Sequence, residues 1–288
     1  MLDERIGAKT QRFAVLGESL GHTWSPYIHN SLFRACCRDA IYLPITVPKD
    51  RLASAVDVFR SCFDGFNVTI PYKERIIPLL DEVDDAVRAC GAVNTVENRS
   101  GRLIGHITDG LGMLRAIEEH GVFTGQADVL ILGGGGAARV AGYEFLSRGG
   151  RVTFAVRDVE KGKRLASELS QTQQDGMHRI AVCPLSAIPE AAHDLLINCT
   201  PVGMYPHTQE SPVGEHVISR CAAVFDAVYN PRKTQLLLMA KRASIPAIEG
   251  LGMLFYQAVE AQKLWFQGDF RADASAQNDI YMELQAQL

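Results

Sequence analysis

The residues with the clearest chemical meaning form a glycine run after a short apolar segment. Residues 129–132 read as a buried strand, and the pattern G-x-G-x-x-A begins directly after them. Its small residues make a tight turn, let the backbone approach a pyrophosphate, and allow the next helix to pack closely. Without a ligand they would form only a tight turn. The pattern predicts a dinucleotide site formed by Gly133, Gly134, Gly135, Gly136 and Ala137.

The residues after the next predicted strand indicate which dinucleotide to expect. Arg157 and Lys161 can pair with a 2′-phosphate, which NADP carries. Asp158 can instead hold a free ribose 2′-hydroxyl, which would favour NAD, or it can cap the helix that follows. We expect NADP as the cofactor, with NAD as the alternative.

Lys73 is a candidate for proton transfer. It follows a predicted strand at residues 65–69, where a lysine is most often a solvated surface charge. A partly shielded lysine can also donate a proton. Hydride transfer to a ketone leaves an alkoxide, so that reaction needs an acid at the oxygen. Asp109, which precedes Gly110, is by itself typical of a helix cap.

A helical pattern begins at Ser25-Pro26. We predict Ser25 as the N-cap and Pro26 as the first helical residue. The hydroxyl groups of Thr23 and Ser25 at this positive helix end also suit a carboxylate ligand.

The second half of the chain alternates short apolar runs with amphipathic segments. Parallel strands need such crossover connections, so we predict an α/β domain with a doubly wound, Rossmann-like parallel sheet. Its strands are predicted at residues 129–132, 152–156, 180–183, 195–199, 223–228 and 245–248, with a polar surface loop at 169–179.

A smaller α/β unit precedes this domain, with strands predicted at residues 12–16, 40–45 and 65–69. A helix that begins after Gly250 has no further strand to follow, so we expect it to return to the first unit. The expected domains are a substrate domain at 1–109, completed by 251–288, and an NADP-binding domain at 110–250.

Composition argues against several other classes of protein. A net charge of -4 and a pI near 6.1 indicate no excess of basic residues that would bind nucleic acid. No apolar run is long enough to span a membrane. The polar N-terminus resembles no signal peptide, so we expect a cytoplasmic protein. The 7 cysteines are scattered, which predicts reduced thiols and no metal site. We expect a small-molecule substrate and a monomer or homodimer.

Eight segments occur in the order found in one enzyme family. They are residues 17–26 (GESLGHTWSP), 67–73 (NVTIPYK), 91–95 (GAVNT), 108–110 (TDG), the glycine run, 198–204 (NCTPVGM), 226–234 (DAVYNPRKT) and 250–257 (GLGMLFYQ). Together they resemble the motifs of the shikimate dehydrogenase family.

This resemblance implies an enzyme that interconverts 3-dehydroshikimate and shikimate with NADP. It implies Lys73 as the proton donor and Asp109 as its partner. Thr23 and Ser25 would hold the substrate carboxylate. The other implied contacts are to substrate from Asn67, Thr69, Asn94, Tyr229 and Gln257, and to cofactor from Asn198, Thr200 and Gly250.

Three departures from the family pattern keep alternatives open. Thr23 replaces a usual serine, and Ile107 and Val156 replace usual asparagines. A related quinate/shikimate dehydrogenase that uses NAD is the first alternative. A ligand-sensing protein of the same fold without turnover is a second, which the presence of both Lys73 and Asp109 disfavours. A dinucleotide enzyme with unrelated chemistry is the third.

Overall fold

The computed structural model describes residues 6–172 and 176–287 of the chain. They divide into two units, each built on its own six-stranded sheet. One unit holds the described chain up to Thr108 together with Gln257–Gln287, and the other holds Asp109–Tyr256. The chain therefore leaves the first unit once and returns to it near its end.

The first unit contains a mixed sheet. Its strands are β1 (Gln11–Gly17), β2 (Ala40–Thr46), β3 (Gly65–Val68), β4 (Glu82–Val83), β5 (Thr95–Arg99) and β6 (Arg102–His106). They lie in the order β2-β1-β3-β5-β6-β4. The strands β2 and β3 run parallel to β1, whereas β5 is antiparallel to both β3 and β6.

Three helices connect these strands: α1 (Ser25–Ala35), α2 (Leu52–Cys62) and α3 (Asp85–Cys90). The first buries an apolar face that includes Ile28 and Leu32. The third is capped at both ends. The Asp84 carboxylate accepts from Val87 N at its start, and Gly91 ends the helix with φ 66°.

The prediction that Ser25 caps α1 was wrong. Ser25 is the first residue of the helix, and Trp24 occupies the N-cap with φ -90° and ψ -7°, without a side-chain hydrogen bond to the helix. Because Trp24 already has a near-helical backbone, the helix starts one residue earlier than the Ser-Pro pattern indicates. Pro26 is therefore the second residue of the helix, whereas the sequence predicted it as the first.

The second unit contains a fully parallel sheet. Its strands are β7 (Asp128–Leu132), β8 (Arg151–Val156), β9 (Ile180–Pro184), β10 (Leu195–Asn198), β11 (Val224–Asp226) and β12 (Ala247–Glu249). The helices are α4 (Asp109–Glu118), α5 (Gly136–Ser147), α6 (Val159–Ser170), α7 (Glu215–Ile218) and α8 (Gln235–Arg242). The order β12-β11-β10-β7-β8-β9 reverses direction at β7, which confirms the doubly wound, Rossmann-like prediction.

Strand β7 explains why this sheet could be predicted from apolar runs. Val129 and Ile131 lie in the hydrophobic core on one face, and Leu130 and Leu132 lie in the core on the other. A strand that is covered on both faces has no polar side to alternate with, so its sequence is continuously apolar.

All nine predicted strands are present, but several ends differ. The predicted strand at 245–248 begins later, at Ala247, because Ser244 has φ 59° and Pro246 follows it. The predicted strands 195–199 and 223–228 are shorter in the structure. The strands β4, β5 and β6 were not predicted, because they are short or interleaved with polar residues. The hairpin between β5 and β6 turns at Ser100 and Gly101, both with positive φ.

Two helices complete the chain: α9 (Leu251–Trp265) and α10 (Ala274–Gln287). Trp265 stacks on Phe13 with 4.7 Å between ring centroids, and its Nε1 donates to Val96 O at 3.0 Å. A Cβ atom at Gly65 would lie 2.6 Å from Trp265 Nε1, so only glycine leaves room for this ring. The predicted return of the last helix to the first unit is confirmed.

The remaining predictions concern the chain ends and one loop. Within the tail left undecided at 273–288, Ala274–Gln287 form α10, which buries Ile280 and Leu284. Residues 1–5, 288 and 173–175 of the predicted loop 169–179 lie outside the described residues. Within the described ranges, none of the helices combines the length and the apolar character needed to cross a membrane.

Candidate functional site

The glycine run lies between β7 and α5. Gly133 has φ +113°, a conformation that residues with side chains rarely adopt, and its N–H donates to Ala155 O at 2.9 Å. A Cβ atom there would also lie 3.2 Å from Thr200 Cγ2 and 3.3 Å from Cys199 O. The turn itself therefore requires Gly133.

Gly135 and Gly136 are not required by the packing of the chain. A Cβ atom at either position would meet no atom within 4 Å, and both residues are exposed, as is Ala137. Gly135 is the N-cap of α5 and offers no side chain to the first N–H groups of the helix. This open, positive helix end fits the pyrophosphate of a dinucleotide.

The residues expected to choose between NADP and NAD follow β8. Asp158 is the N-cap of α6, and its Oδ1 accepts from Lys161 N at 3.0 Å. Arg157 and Lys161 are both exposed. Because the helix terminus engages the Asp158 carboxylate, the capping role is sufficient to explain this residue, and the two cations supply the positive charge that suits a 2′-phosphate.

A buried carboxylate, Asp226, lies at the carboxyl end of β11. Its Oδ1 accepts from Asn198 Nδ2 at 2.9 Å and from Val228 N at 3.0 Å. Its Oδ2 accepts from Thr234 Oγ1 at 2.6 Å. Burial raises the pKa of Asp226 to about 6, although the three hydrogen bonds act to lower it.

Asn198 and Thr200, which the resemblance implied as cofactor contacts, belong to this network. Asn198 is fully buried, and its Oδ1 accepts from Thr200 N at 3.0 Å and from Thr200 Oγ1 at 2.7 Å. With Nδ2 on Asp226, the amide of Asn198 holds the loop after β10 and does not reach outward. Thr200 is half-buried and lies beside Gly133.

Gly250 and Tyr229 follow neighbouring strands of the same sheet. A Cβ atom at Gly250 would lie 2.5 Å from Asp226 O and 2.7 Å from Ala227 O, so the chain's own backbone excludes any side chain there. Tyr229 is 37% exposed and follows Asp226 by three residues. Gly250 is thus explained by close packing, and Tyr229 presents a ring at the surface of the second unit.

Lys73 follows β3 on a backbone segment that is anchored on both sides. The preceding Tyr72 is fully buried, and its hydroxyl donates to Val47 O. Lys73 O accepts from Val93 N at 2.8 Å, beside Asn94. Lys73 itself is half-buried, so its ammonium group is carried by a fixed backbone at the edge of the first unit's polar core.

The predicted ring contacts Asn67, Asn94 and Gln257 meet in one buried network of the first unit. Asn67 Nδ2 donates to Asn94 O at 3.0 Å and to Thr95 Oγ1 at 2.9 Å. Asn94 Nδ2 donates to Thr108 Oγ1 at 3.0 Å and to Gln257 Oε1 at 3.3 Å. The structure therefore brings together three amides that are far apart in the sequence.

Tyr42, which the motifs did not single out, completes this network. Its hydroxyl donates to Asn67 Oδ1 at 2.6 Å and also contacts the Ser25 hydroxyl. Its ring stacks on His29 with 4.2 Å between centroids. Burial raises the pKa of Tyr42 and lowers the pKa of His29 to about 3, so both rings are neutral near pH 7.

Thr23, Ser25 and Thr69 lie at the border of the same region. Thr23 and Ser25 are half-buried around the start of α1, where Ser25 N donates to Thr23 Oγ1 at 3.4 Å. Thr69 N donates to Leu16 O at 3.0 Å just beyond β3. A Cβ atom at Gly17 would lie 2.6 Å from Thr69 Cγ2, so that glycine leaves the space for Thr69.

Asp109 is the first residue of α4, within the helix and not before it, and it is half-buried. Its predecessor Thr108 belongs to the first unit, where Thr108 N donates to Asn94 Oδ1 at 2.7 Å. Gly110 lets α4 pack closely, since a Cβ atom there would lie 2.5 Å from Glu144 Oε1. The hydrogen bond from Thr108 fixes the backbone directly before Asp109.

Two histidines of the first unit have partners within that unit. His29 is buried in the core, and His106 Nδ1 lies 2.9 Å from Asp84 Oδ2. In the part of the chain that the structure describes, no three His, Cys, Asp or Glu side chains are grouped to hold a metal ion.

Four residues that build the site were missed as site residues from the sequence. They are Tyr42, Thr95, Thr108 and Asp226, and each is at most 1% exposed. Three of them lie inside or next to quoted motifs, so the motifs carried a signal. The sequence did not show which side chains these residues would form hydrogen bonds with.

Comparison with known proteins assigns the family. The family model for the shikimate dehydrogenase substrate binding domain matches residues 15–96. A shikimate dehydrogenase (NADP(+)) of Methanothermobacter thermautotrophicus is 39% identical over 268 residues, which cover 90% of this chain and 92% of that protein.

Solved structures agree over nearly the whole chain. A shikimate dehydrogenase in complex with NADP+ has a TM-score of 0.87 at 33% identity, with 96% of both chains covered. The shikimate 5-dehydrogenase of Thermus thermophilus, in complex with NADP(H) and shikimate, has a TM-score of 0.83 at 30% identity. That match covers 95% of this chain and 99% of the Thermus chain.

Two glycines of the loop should respond differently to substitution by alanine. Gly135→Ala should weaken NADP binding roughly tenfold, because its methyl group would occupy the space open to a pyrophosphate, at a stability cost of at most about 1 kcal/mol. Gly133→Ala should cost about 1–3 kcal/mol of unfolding free energy, because of its positive φ. Calorimetric titration and urea denaturation measure the two effects. Unchanged NADP affinity in Gly135→Ala would refute this account of the loop.

Asp226 should make the unfolding free energy depend on pH. The folded protein keeps the Asp226 proton up to about pH 6, whereas the unfolded chain loses it near the ordinary pKa of 3.8. The folded state binds more protons between these values, so stability falls as pH rises through this window, by at most about 3 kcal/mol, and then levels.

Urea denaturation of the wild type and Asp226→Asn between about pH 4 and about pH 7.5 tests this linkage. The difference in unfolding free energy should shift in favour of Asp226→Asn up to about pH 6 and then stay constant. A difference that does not change with pH would contradict the raised pKa.

Proposed function

Because the chain belongs to the shikimate dehydrogenase family, we propose that it catalyses the reversible NADP-dependent reduction of 3-dehydroshikimate to shikimate. The observation that carries the proposal is the 39% identity to a shikimate dehydrogenase (NADP(+)) over 90% of the chain. Two local features support it: the open glycine loop in the second unit and the buried amide network beside Lys73 in the first.

Proton transfer is assigned to Lys73 and Asp109. When bound, NADPH would supply the hydride that reduces the ketone carbon. The Lys73 ammonium then gives a proton to the oxygen, so that the alkoxide becomes a hydroxyl group, and the lysine regains its proton from solvent. Asp109 accepts a hydrogen bond from the same substrate hydroxyl. In the reverse direction Lys73 takes the proton.

The polar groups of the first unit hold the ring. Thr23 and Ser25 donate to the substrate carboxylate, close to the positive end of α1. The other proposed contacts to ring hydroxyls come from Asn67, Thr69, Asn94, Tyr229 and Gln257. Because Asn67 and Asn94 are already fixed by internal hydrogen bonds, little side-chain freedom is lost when the ring binds.

The second unit holds the cofactor. The helix end at Gly133–Ala137 receives the pyrophosphate, and Arg157 and Lys161 receive the 2′-phosphate. Asp158 caps α6 beside them. The proposed supporting residues are Asn198, Thr200 and Gly250, which shape the loops after β10 and β12. We further propose that the enzyme works in the cytoplasm as a monomer or a homodimer.

Turnover assays with the four pairs of shikimate or quinate and NADP or NAD test the proposal. Shikimate with NADP should give the highest kcat/KM. Lys73→Met should lower kcat by roughly 10²–10⁴ with an unchanged affinity for NADP, because it removes the proton donor but leaves the cofactor loop intact. Lys241→Met, at an exposed lysine of α8, is the matched control and should retain full activity.

Each other outcome has a distinct meaning. Preference for quinate or NAD would favour the related quinate/shikimate dehydrogenase, for which Thr23 and Asp158 leave room. Tight NADP binding without turnover of either acid would overturn the proposed activity and favour a ligand-sensing protein. Wild-type kcat in Lys73→Met would remove Lys73 from the mechanism.

A further inference from the structure

Three loops of the second unit meet at one buried carboxylate. Asn198, Asp226 and Glu249 are register partners at the carboxyl ends of β10, β11 and β12. The loop after β10 reaches Asp226 through Asn198, and the loop after β11 returns to it through Val228 N. The loop after β12 packs closely on the backbone of Asp226. A Cβ atom at Gly250 would lie 2.5 Å from Asp226 O, so only glycine fits there.

This meeting point is dry, and its hydrogen bonds depend on one another. Asn198, Asp226 and Thr234 are each 0% exposed. The carboxylate accepts from Asn198 Nδ2, Val228 N and Thr234 Oγ1, and each of these donors is directed at it. A neutral replacement with fewer accepting lone pairs leaves at least one buried donor without its acceptor, which is costly.

The network also reaches the loop that binds phosphate. Asn198 Oδ1 accepts from Thr200 N and Thr200 Oγ1. Thr200 Cγ2 in turn lies 3.2 Å from the position of a Cβ atom at Gly133. A hydrogen-bonded and packed path therefore runs from the N-cap of α8, Thr234, through Asp226 to the glycine turn.

The strand order places Asp226 away from the residues proposed to bind the adenosine half of NADP. Arg157 follows β8, on one side of the central strand β7, whereas β10, β11 and β12 lie on the other side. In a doubly wound sheet each half binds one mononucleotide of the cofactor. The half that contains Asp226 is the one without the cations suited to the 2′-phosphate.

We propose that Asp226 is a positioning residue for the nicotinamide half of NADP, which it shapes through Asn198 and Thr200 without touching the ligand. The inference rests on the proposed function, since it takes NADP as the dinucleotide. It adds a buried carboxylate that does not touch the ligand to the determinants of cofactor affinity.

Calorimetric titration of the full-length protein with NADP+ and with adenosine 2′,5′-bisphosphate tests the proposal. The second ligand carries only the adenosine half. Asp226→Asn should raise the Kd for NADP+ roughly tenfold or more and change the Kd for adenosine 2′,5′-bisphosphate less than about twofold. An equal rise in both Kd values, as general damage to the fold would cause, overturns the proposal. Two unchanged Kd values overturn it as well.

A second pair of variants covers the case in which Asp226→Asn does not fold. Thr234→Ser keeps the hydroxyl that donates to Asp226 and should bind NADP+ as the wild type does. Thr234→Val removes this hydroxyl and should weaken the binding of NADP+ but not that of adenosine 2′,5′-bisphosphate. If the two variants bind NADP+ equally, the proposal fails.

Asp194→Asn is the matched control. Asp194 Oδ2 accepts from Asp128 N at 2.8 Å just before β10, at the opposite end of the same sheet. Both Kd values should stay at the wild-type level, and a selective loss of NADP+ affinity in this control would overturn the proposal.

Wild-type protein that binds NADP+ but turns over neither acid refutes the proposed activity alone. Wild-type protein that binds neither ligand refutes both proposals.

Discussion

A buried polar group must find a partner inside the protein, and this constraint shapes the polar network of each unit. An amide or carboxylate taken from water without a hydrogen-bond partner costs several times what a typical hydrogen bond contributes. Asn94 is 3% exposed and Asp226 is 0% exposed, so neither can rely on solvent. Each is surrounded by partners, and those partners hold the loops that carry the proposed contacts to substrate and cofactor.

The two networks differ in charge, and this difference matters for function. The network of the first unit joins amides and hydroxyls, among them Tyr42, whose pKa is raised by burial. The network of the second unit has a carboxylate at its centre whose pKa is raised by burial to about 6. The second network therefore links the loops after β10 and β11, which we propose to hold the cofactor, to a titratable group.

Local patterns were sufficient to predict much of the fold. The glycine loop and the parallel strands follow from short segments, since a strand covered on both faces is apolar throughout. The start of α1 was wrong by one residue because the backbone of Trp24 already turns before Ser25. The buried pairs could not be derived, since Asn94 meets Gln257 across 163 residues and Asn198 meets Asp226 across 28. Such pairs depend on strand order, which no single motif contains.

We expect both networks to be formed before any ligand binds. Amide hydrogen exchange by NMR in the ligand-free protein tests it at three N–H groups that donate to side-chain oxygens: Thr108 to Asn94, Thr200 to Asn198, and Val228 to Asp226. We predict exchange as slow as that of amides paired within the sheets. Fast exchange at all three that becomes slow only after shikimate or NADP is added would contradict the claim.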